Sequence, residues 1–428
     1  MKTPPPPIVA AVEMGYGHLR AARPLADLLG TGITHVDLPP VTEEDEQRLW
    51  HASRRFYEIT SRASQLPLVG APMRSLLDSL TAIPHLYPYR DLSAPTLQVR
   101  SLDRLIRKGL GRGLVNQLKA TGAPLLATFF APALAADHHG CEPVFLVVTD
   151  TDINRAWAPL DPEKSRIVYL APSQRAARRL RSYGIAPERI EMTGFPLPGE
   201  LLGGMDVPVA RRNLAARLVR LDPKRAFRSQ ARDEIHAFLG VELPEDQEGV
   251  PPLATFTVGG AGAQTELARR LLRSLKPVIE ENRLRLCLSA GVRQEVADRF
   301  TAWIREAGLE GHPGVSLLCE KDFDSYYAAF SRLLAETDIL WTKPSEMTFY
   351  GALGLPLVLS RPVGVHEGYN RRWAIENGAG LKQRSPDYAG YWIREWLAEG
   401  TLAAAAWFGF LRLPKFGVYH ILERFLGK

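Results

Sequence analysis

Cysteine is scarce in this chain: its 428 residues hold three, Cys141, Cys287 and Cys319. Their spacing fits neither a zinc site nor a disulfide framework, and Cys287, inside an apolar run at 284–288, reads as a small core residue. Long hydrophobic runs are missing too. Mean hydropathy is −0.12, and no apolar stretch approaches the ~20 residues that a membrane-spanning helix needs. One lysine and four prolines precede the apolar run at 8–12. That run is too short for the core of a signal peptide, so the expected location is cytoplasmic. Charge of one sign is nearly balanced, with 53 Lys+Arg against 47 Asp+Glu for a net +6. All of that excess falls in residues 205–232, where eight basic side chains from Arg211 to Arg232 face only Asp206 and Asp222. The expected feature is a local basic patch. A uniformly basic nucleic-acid binder is excluded, and aromatics are not regularly interleaved with the basic run, which holds Phe227 alone.

What is present is an ordinary globular composition, 46% hydrophobic and 23% charged. The length is too great for one core and predicts two α/β lobes of roughly 200 residues each. Short apolar, β-branched runs alternate with helical patterns at 8–12, 34–38, 124–129, 144–149, 167–171 and 190–193. The pattern resumes at 253–258, 284–289, 315–319, 338–341 and 356–359. Continuous apolar strands separated by helices read as buried parallel sheets, so the expected fold is α/β with two doubly wound, Rossmann-like lobes. The expected division is an N-terminal lobe at 1–200, a basic helical linker insertion at 201–250, a second lobe at 251–400, and an aromatic, basic C-terminal helix at 401–428. The tail reads either as a helix packing across the lobes or as a segment touching a membrane interface.

Four strand-to-helix turns carry the polar chemistry. The first holds Gly15, Gly17 and His18, where glycines let backbone approach a ligand and a histidine stands at a sheet mouth. The second holds Gly259, Gly260 and Gly262; no Gly-Lys-Ser/Thr follows, so it is not a Walker A loop. The third holds Lys343, Ser345 and Glu346. Lys343 offers a point charge for a phosphate, and Ser345 is expected to cap the following helix. The fourth holds His366, Glu367 and Asn370. Asp150 and Asp152 follow the strand at 144–149; as alternate residues they are expected to share a side, with turn-capping aspartates as the plain alternative.

Taken in order, the Gly15 to His18 turn, Thr149 and Asp150 with the stretch at 184–194, the run Thr342, Lys343, Pro344, and His366, Glu367 with Asn370 resemble the GT-B glycosyltransferases. The nearest branch by these motifs holds the monogalactosyldiacylglycerol synthases, the processive diacylglycerol glucosyltransferases and MurG. The resemblance runs over residues 8–200 and 253–382. It departs in having Gly-Tyr-Gly at the first turn, Ser-Glu-Met after Lys-Pro, and a longer linker at 205–245.

The resemblance implies two lobes enclosing a cleft, with the acceptor on the first and a nucleotide-sugar, a UDP-sugar, on the second. It implies sugar transfer to a hydroxyl, a membrane lipid or another acceptor, with inversion, without a metal and without a cofactor. His18, Asp150 and Asp152 become the candidate bases, with His18 preferred over Asp150. Gly259, Gly260, Gly262, Lys343, Ser345, Glu346, His366, Glu367 and Asn370 become the donor contacts, and Gly15 and Gly17 the acceptor-side turn. An anionic membrane surface on the inner face of the cell membrane is an expected partner, supported by basic residues at 100–112. Two other readings stand beside this one: a non-hydrolysing nucleotide-sugar 2-epimerase, and a catalytically silent nucleotide-sugar or lipid binding protein.

Overall fold

A computed structural model describes residues 5–52, 83–259, 262 and 264–426. The chain divides into two compact units. One comprises Met1–Leu197, Val363–Asn370 and Phe416–Lys428; the other comprises Pro198–Pro362 and Arg371–Lys415.

The first lobe is built on strands β1 (Ile8–Ala11), β2 (Ile33–His35), β3 (Leu125–Ala127), β4 (Val144–Val147), β5 (Val168–Ala171) and β6 (Ile190–Met192). They lie in the order β2-β1-β3-β4-β5-β6, each pair parallel. Val9 sits opposite Ile33 on one side and Leu126 on the other. Val9, Ala10, Leu125, Leu126, Leu146 and Val147 are fully buried, which is why these strands read as unbroken apolar runs. The helix Leu97–Arg107 buries Val99, Leu102 and Ile106, and the Thr96 hydroxyl caps it by accepting from the Val99 amide. After β2 the chain returns to the opposite side of β1, so strand order reverses between β1 and β3. Open parallel sheets bind ligands in the crevice outside such a reversal.

The second lobe repeats the plan with β7 (Leu253–Thr257), β8 (Arg285–Gly291), β9 (Val315–Cys319), β10 (Ile339–Thr342), β11 (Leu357–Leu359) and β12 (Gly380–Lys382). Their order is β12-β11-β10-β7-β8-β9, again all parallel. Here the reversal lies between β7 and β10. The edge strand β12 was not expected, because its three residues carry a single large apolar side chain, Leu381. The strand expected at 144–149 stops at Val147, where apolar residues give way to Thr149 and the aspartates.

The basic insertion belongs to the second lobe, and part of its charge is turned inward. Its helix Pro208–Arg220 sends Arg217 into the core, where Nε donates to the Thr337 carbonyl (2.9 Å) and Nη1 to the Leu353 and Gly354 carbonyls (3.0 and 2.9 Å). Arg220 grips the buried Asp338 carboxylate through Nε and Nη2, and Arg228 pairs with Asp222 and Glu248. Three of the eight cations are thus spent on internal partners.

The tail is two helices, Thr401–Arg412 and Gly417–Leu426, interrupted around Pro414, which cannot continue a helix. Trp407 and Phe410 are buried and meet Phe238 edge-on. Phe425 meets Phe145 with ring centroids 5.0 Å apart. These aromatics pack within their own lobes.

Lys415 follows this break, its ammonium 4.7 Å from the centre of the Phe410 ring. Burial pushes its amine down to about 8 from the ordinary 10.5, with the Arg211 guanidinium adding to the effect. Between those two values the unfolded chain holds a proton that the folded chain has released, so stability rises with pH in that window. Urea unfolding is expected to show a free energy that climbs from about pH 8 toward 10.5. The climb is smaller in Lys415→Met; an unchanged slope in that variant overturns the assignment.

Candidate functional site

In the first lobe, β1 ends in a turn whose Gly15 adopts φ +140°, a conformation reserved for glycine, and opens the helix Tyr16–Leu29. Gly17 and His18 stand in that helix's first turn, where unpaired backbone N–H groups gather. The imidazole is held from two adjacent strand ends. Nδ1 lies 2.7 Å from the carbonyl oxygen of Thr128, beyond β3, and 3.4 Å from the hydroxyl of Thr149, beyond β4. A carbonyl only accepts, so Nδ1 carries the proton and Nε2 is the basic nitrogen. The Phe129 ring, with its centroid 4.7 Å from that of His18, supports the imidazole edge-on.

The two aspartates have different partners. Both lie beyond the end of β4, so strand alternation does not govern them. Asp150 is half-buried, and its Oδ1 accepts from the Asn370 amide nitrogen at 2.8 Å. Asp152 is fully buried and accepts from Arg179 Nε and Nη2 (2.7 and 3.0 Å), from Arg175 Nε (2.6 Å) and from the Ile153 amide (3.0 Å). Burial opposes the Arg179 charge, but the Asp152 carboxylate outweighs it and holds the guanidinium's proton more firmly than usual. Asp152 is therefore occupied as an anchor for the helix Gln174–Ser182.

Residues His366, Glu367 and Asn370 group with the first lobe. Asn370 is fully buried. Its Oδ1 accepts from the Thr151 amide and hydroxyl (2.9 and 2.8 Å), so the side chain pins the loop that carries Asp150. Glu367 is buried and accepts from the Val363 amide at 2.6 Å, closing the turn before the helix Val365–Glu376. The His366 ring folds over Gly364, where a Cβ would come within 2.7 Å of its Cε1.

The second lobe gathers Gly259, Gly262, Lys343, Ser345 and Glu346 at its own reversal point; Gly260 lies outside the described residues. The Gly262 amide donates to the Gly259 carbonyl at 2.7 Å, with Gly262 at φ +67°. Lys343 lies across Gly259 so closely that a Cβ there would stand 2.6 Å from its Cε. Ser345 does not cap a helix through its side chain. Its hydroxyl and that of Thr348 are buried with no hydrogen-bond partner among the described residues, beside the buried Glu346. Buried hydroxyls without partners are costly and mark a place where a polar ligand would be welcome. Gln264 joins them: its Oε1 accepts from Ser360 (2.5 Å) and its Nε2 donates to the Arg361 carbonyl (2.6 Å), fixing the far side of the turn.

Thr128, Thr348, Gln264 and the Arg175–Arg179 pair were not singled out from sequence. Thr128 acts through its backbone and leaves no side-chain signal. The arginines gave a weak one, as two basic residues four positions apart on a helix.

A family model described as a domain of unknown function, DUF6938, matches residues 246–312, the stretch from before β7 to before β9. No curated protein matches the sequence. Among solved structures, the chain is similar to MnaA of S. aureus, solved with UDP, at 13% identity over 98% of this chain and 96% of that one, with a TM-score of 0.52. A chain from Listeria monocytogenes provisionally named UDP-N-acetylglucosamine 2-epimerase gives 14% identity, 99% and 98% coverage, and a TM-score of 0.52. MurG of Acinetobacter baumannii gives 12% identity, 99% and 100% coverage, and a TM-score of 0.51. The likeness is one of fold: two Rossmann-like lobes of the GT-B kind.

Two substitutions test this geometry. Asp152→Ala leaves the buried Arg179 uncompensated and is expected to lower unfolding free energy by about 3–5 kcal/mol, read by urea denaturation; a loss under 1 kcal/mol contradicts the anchoring role. Gly259→Ala displaces only the flexible end of Lys343, so the melting temperature is expected to hold; a marked fall shows that Lys343 is fixed rigidly across the turn.

Proposed function

We propose that the chain is a glycosyltransferase that moves a sugar from a UDP-sugar to an acceptor hydroxyl, with inversion and without a metal. The observation that carries this reading is His18. Its Nδ1 proton is committed to the Thr128 carbonyl, so Nε2 is the basic nitrogen at the strand-order reversal of the first lobe. In the transfer, the acceptor O–H proton passes to Nε2 as the oxygen bonds to the anomeric carbon. The bond from that carbon to the phosphate oxygen breaks, and its electrons leave with the diphosphate. The imidazolium keeps its Nδ1–H···O=C bond throughout. For the departing diphosphate the reading calls on the reversal point within the second lobe: the glycine turn at Gly259, the Lys343 ammonium, and the Ser345 and Thr348 hydroxyls, which have no hydrogen-bond partner among the described residues. Asp150 already accepts from Asn370, so His18 is the preferred base.

UDP in the complex of the S. aureus chain of similar fold supports the choice of nucleotide. The acceptor in this reading is a membrane lipid, as in the monogalactosyldiacylglycerol synthase branch. Arg100, Arg104 and Lys108 are exposed without an ion-pair partner among the described residues, which suits an anionic bilayer on the inner face of the cell membrane.

The second reading, a UDP-sugar 2-epimerase, is kept because the Listeria chain matches equally well in fold. The two separate on one assay, in which the protein is incubated with UDP-sugars alone and then with membrane lipid extract. Transfer needs the acceptor and releases UDP, whereas a 2-epimer formed without any acceptor establishes the second reading. His18→Ala is expected to cut turnover by about 10²–10⁴ with the circular dichroism spectrum unchanged. Wild-type turnover in that variant rejects the assigned base.

A further inference from the structure

One surface of the first lobe is left unused by this chemistry. The helix Gln174–Ser182 carries four arginines and no acidic residue. Arg175 and Arg179 turn inward to Asp152, while Arg178 and Arg181 have no carboxylate within ion-pair distance among the described residues. The segment 83–92 runs alongside this helix. At its start the Ile83 carbonyl accepts from the Tyr369 hydroxyl, and at its end the Leu92 amide donates to the Ser182 carbonyl at 2.7 Å. Between these anchors two large aromatics point to solvent, Tyr87 at 57% and Tyr89 at 61% exposure.

Their arrangement is built rather than incidental. The rings meet edge-to-face with centroids 4.9 Å apart. Arg178 Nη1 donates to both hydroxyls, at 3.2 Å to Tyr87 and 3.4 Å to Tyr89. Tyr89 in turn donates to Tyr87 at 3.3 Å. The Tyr87 oxygen accepts twice, so its own O–H proton is directed away from both partners. The hydrogen bond to Tyr87, then that to Arg178, hold the Tyr89 phenol below its ordinary range, with Arg181 adding to it. The cluster thus presents donors and positive charge, from Tyr87, Arg178, Arg181 and the exposed Arg90, beside two ring faces. That pattern suits an acceptor-only anion with several oxygens attached to a carbon skeleton. Arg175, one helical turn from Arg178, stacks over the Tyr369 ring at 4.7 Å, and Tyr369 adjoins Asn370. The cluster is therefore continuous with the Asp150 loop.

We propose that Tyr87, Tyr89 and Arg178 form a binding subsite for a phosphate ester. The assignment stands apart from the transfer reading, because it concerns binding with no nucleotide-sugar present. Two probes separate the sources of the phosphate. Glycerol 1-phosphate is titrated by calorimetry, and phosphatidylglycerol vesicles are tested by co-flotation against phosphatidylcholine vesicles. The full chain is compared with Arg178→Gln and with the double variant Tyr87→Phe, Tyr89→Phe, which keeps the rings and removes the hydroxyls. All three positions lie at the surface, so melting temperatures are expected to match. Binding of at least one phosphate probe is expected to weaken about 10-fold or more in Arg178→Gln and by a smaller factor in the double variant. Binding of the soluble ester alone assigns a free phosphate compound, and binding of the anionic vesicles assigns a lipid headgroup. Failure of both probes, equal binding to both kinds of vesicle, or affinities untouched by the variants overturns the subsite. Absence of sugar transfer would leave each of these outcomes readable.

Discussion

The reversal of strand order in a parallel sheet governs where chemistry can sit in this protein. At β1 and β3, and again at β7 and β10, two neighbouring strands send their connections to opposite sides and leave a crevice at their carboxyl ends. Each crevice is filled from the same two directions. One strand contributes a glycine turn and a helix start; its neighbour contributes the group that turn must meet, the Thr128 carbonyl in one lobe and the Lys343 ammonium in the other. The same topology delivers a locked imidazole in the first case and a cation lying across a glycine in the second. What distinguishes the lobes is the residue types placed at those positions, and the fold alone does not choose between transfer and epimerisation.

The alternation of apolar runs with helical patterns made both sheets legible, because strands buried on both faces have nothing but apolar residues to show. The exceptions have physical causes. The edge strand β12 carries one large apolar side chain and was invisible to that pattern. The strand β4 ran short of expectation where polar residues take over, so its alternation does not place Asp150 and Asp152. In the candidate site, the glycines and His18 were readable as types at a turn. What those side chains touch was not, since the decisive partners of His18 and Arg217 are backbone carbonyls, which have no letter in a sequence. Asn370 and Glu367 show the same limit: their types fit a ligand contact, and nothing in the sequence tells that both also hold loops of their own chain.

Charge was misleading for a related reason. The insertion that holds the whole net excess looks like a patch when counted along the chain. Folding sends Arg217 to three carbonyls and Arg220 and Arg228 to carboxylates, so part of the linear cluster becomes internal stitching. Conversely, the four arginines of the helix Gln174–Ser182 do not stand out in a count of charge, yet that helix sends two of them to a buried carboxylate and a third to an exposed tyrosine pair. Unpartnered positive charge is a matter of neighbours and geometry, and a tally of residues does not reveal it.

The grip of Thr128 on one ring nitrogen has a consequence for the order of events. With Nδ1 committed, a proton taken up by the imidazole arrives and departs through Nε2, the same atom that would face an acceptor. Such a base has a single doorway. It cannot hand its proton out behind while a substrate stands in front, so the ring resets only after whatever it has deprotonated moves aside. Under the proposed chemistry, clearance of product and recovery of the base become one event, and the pace of a second round is tied to departure from the first.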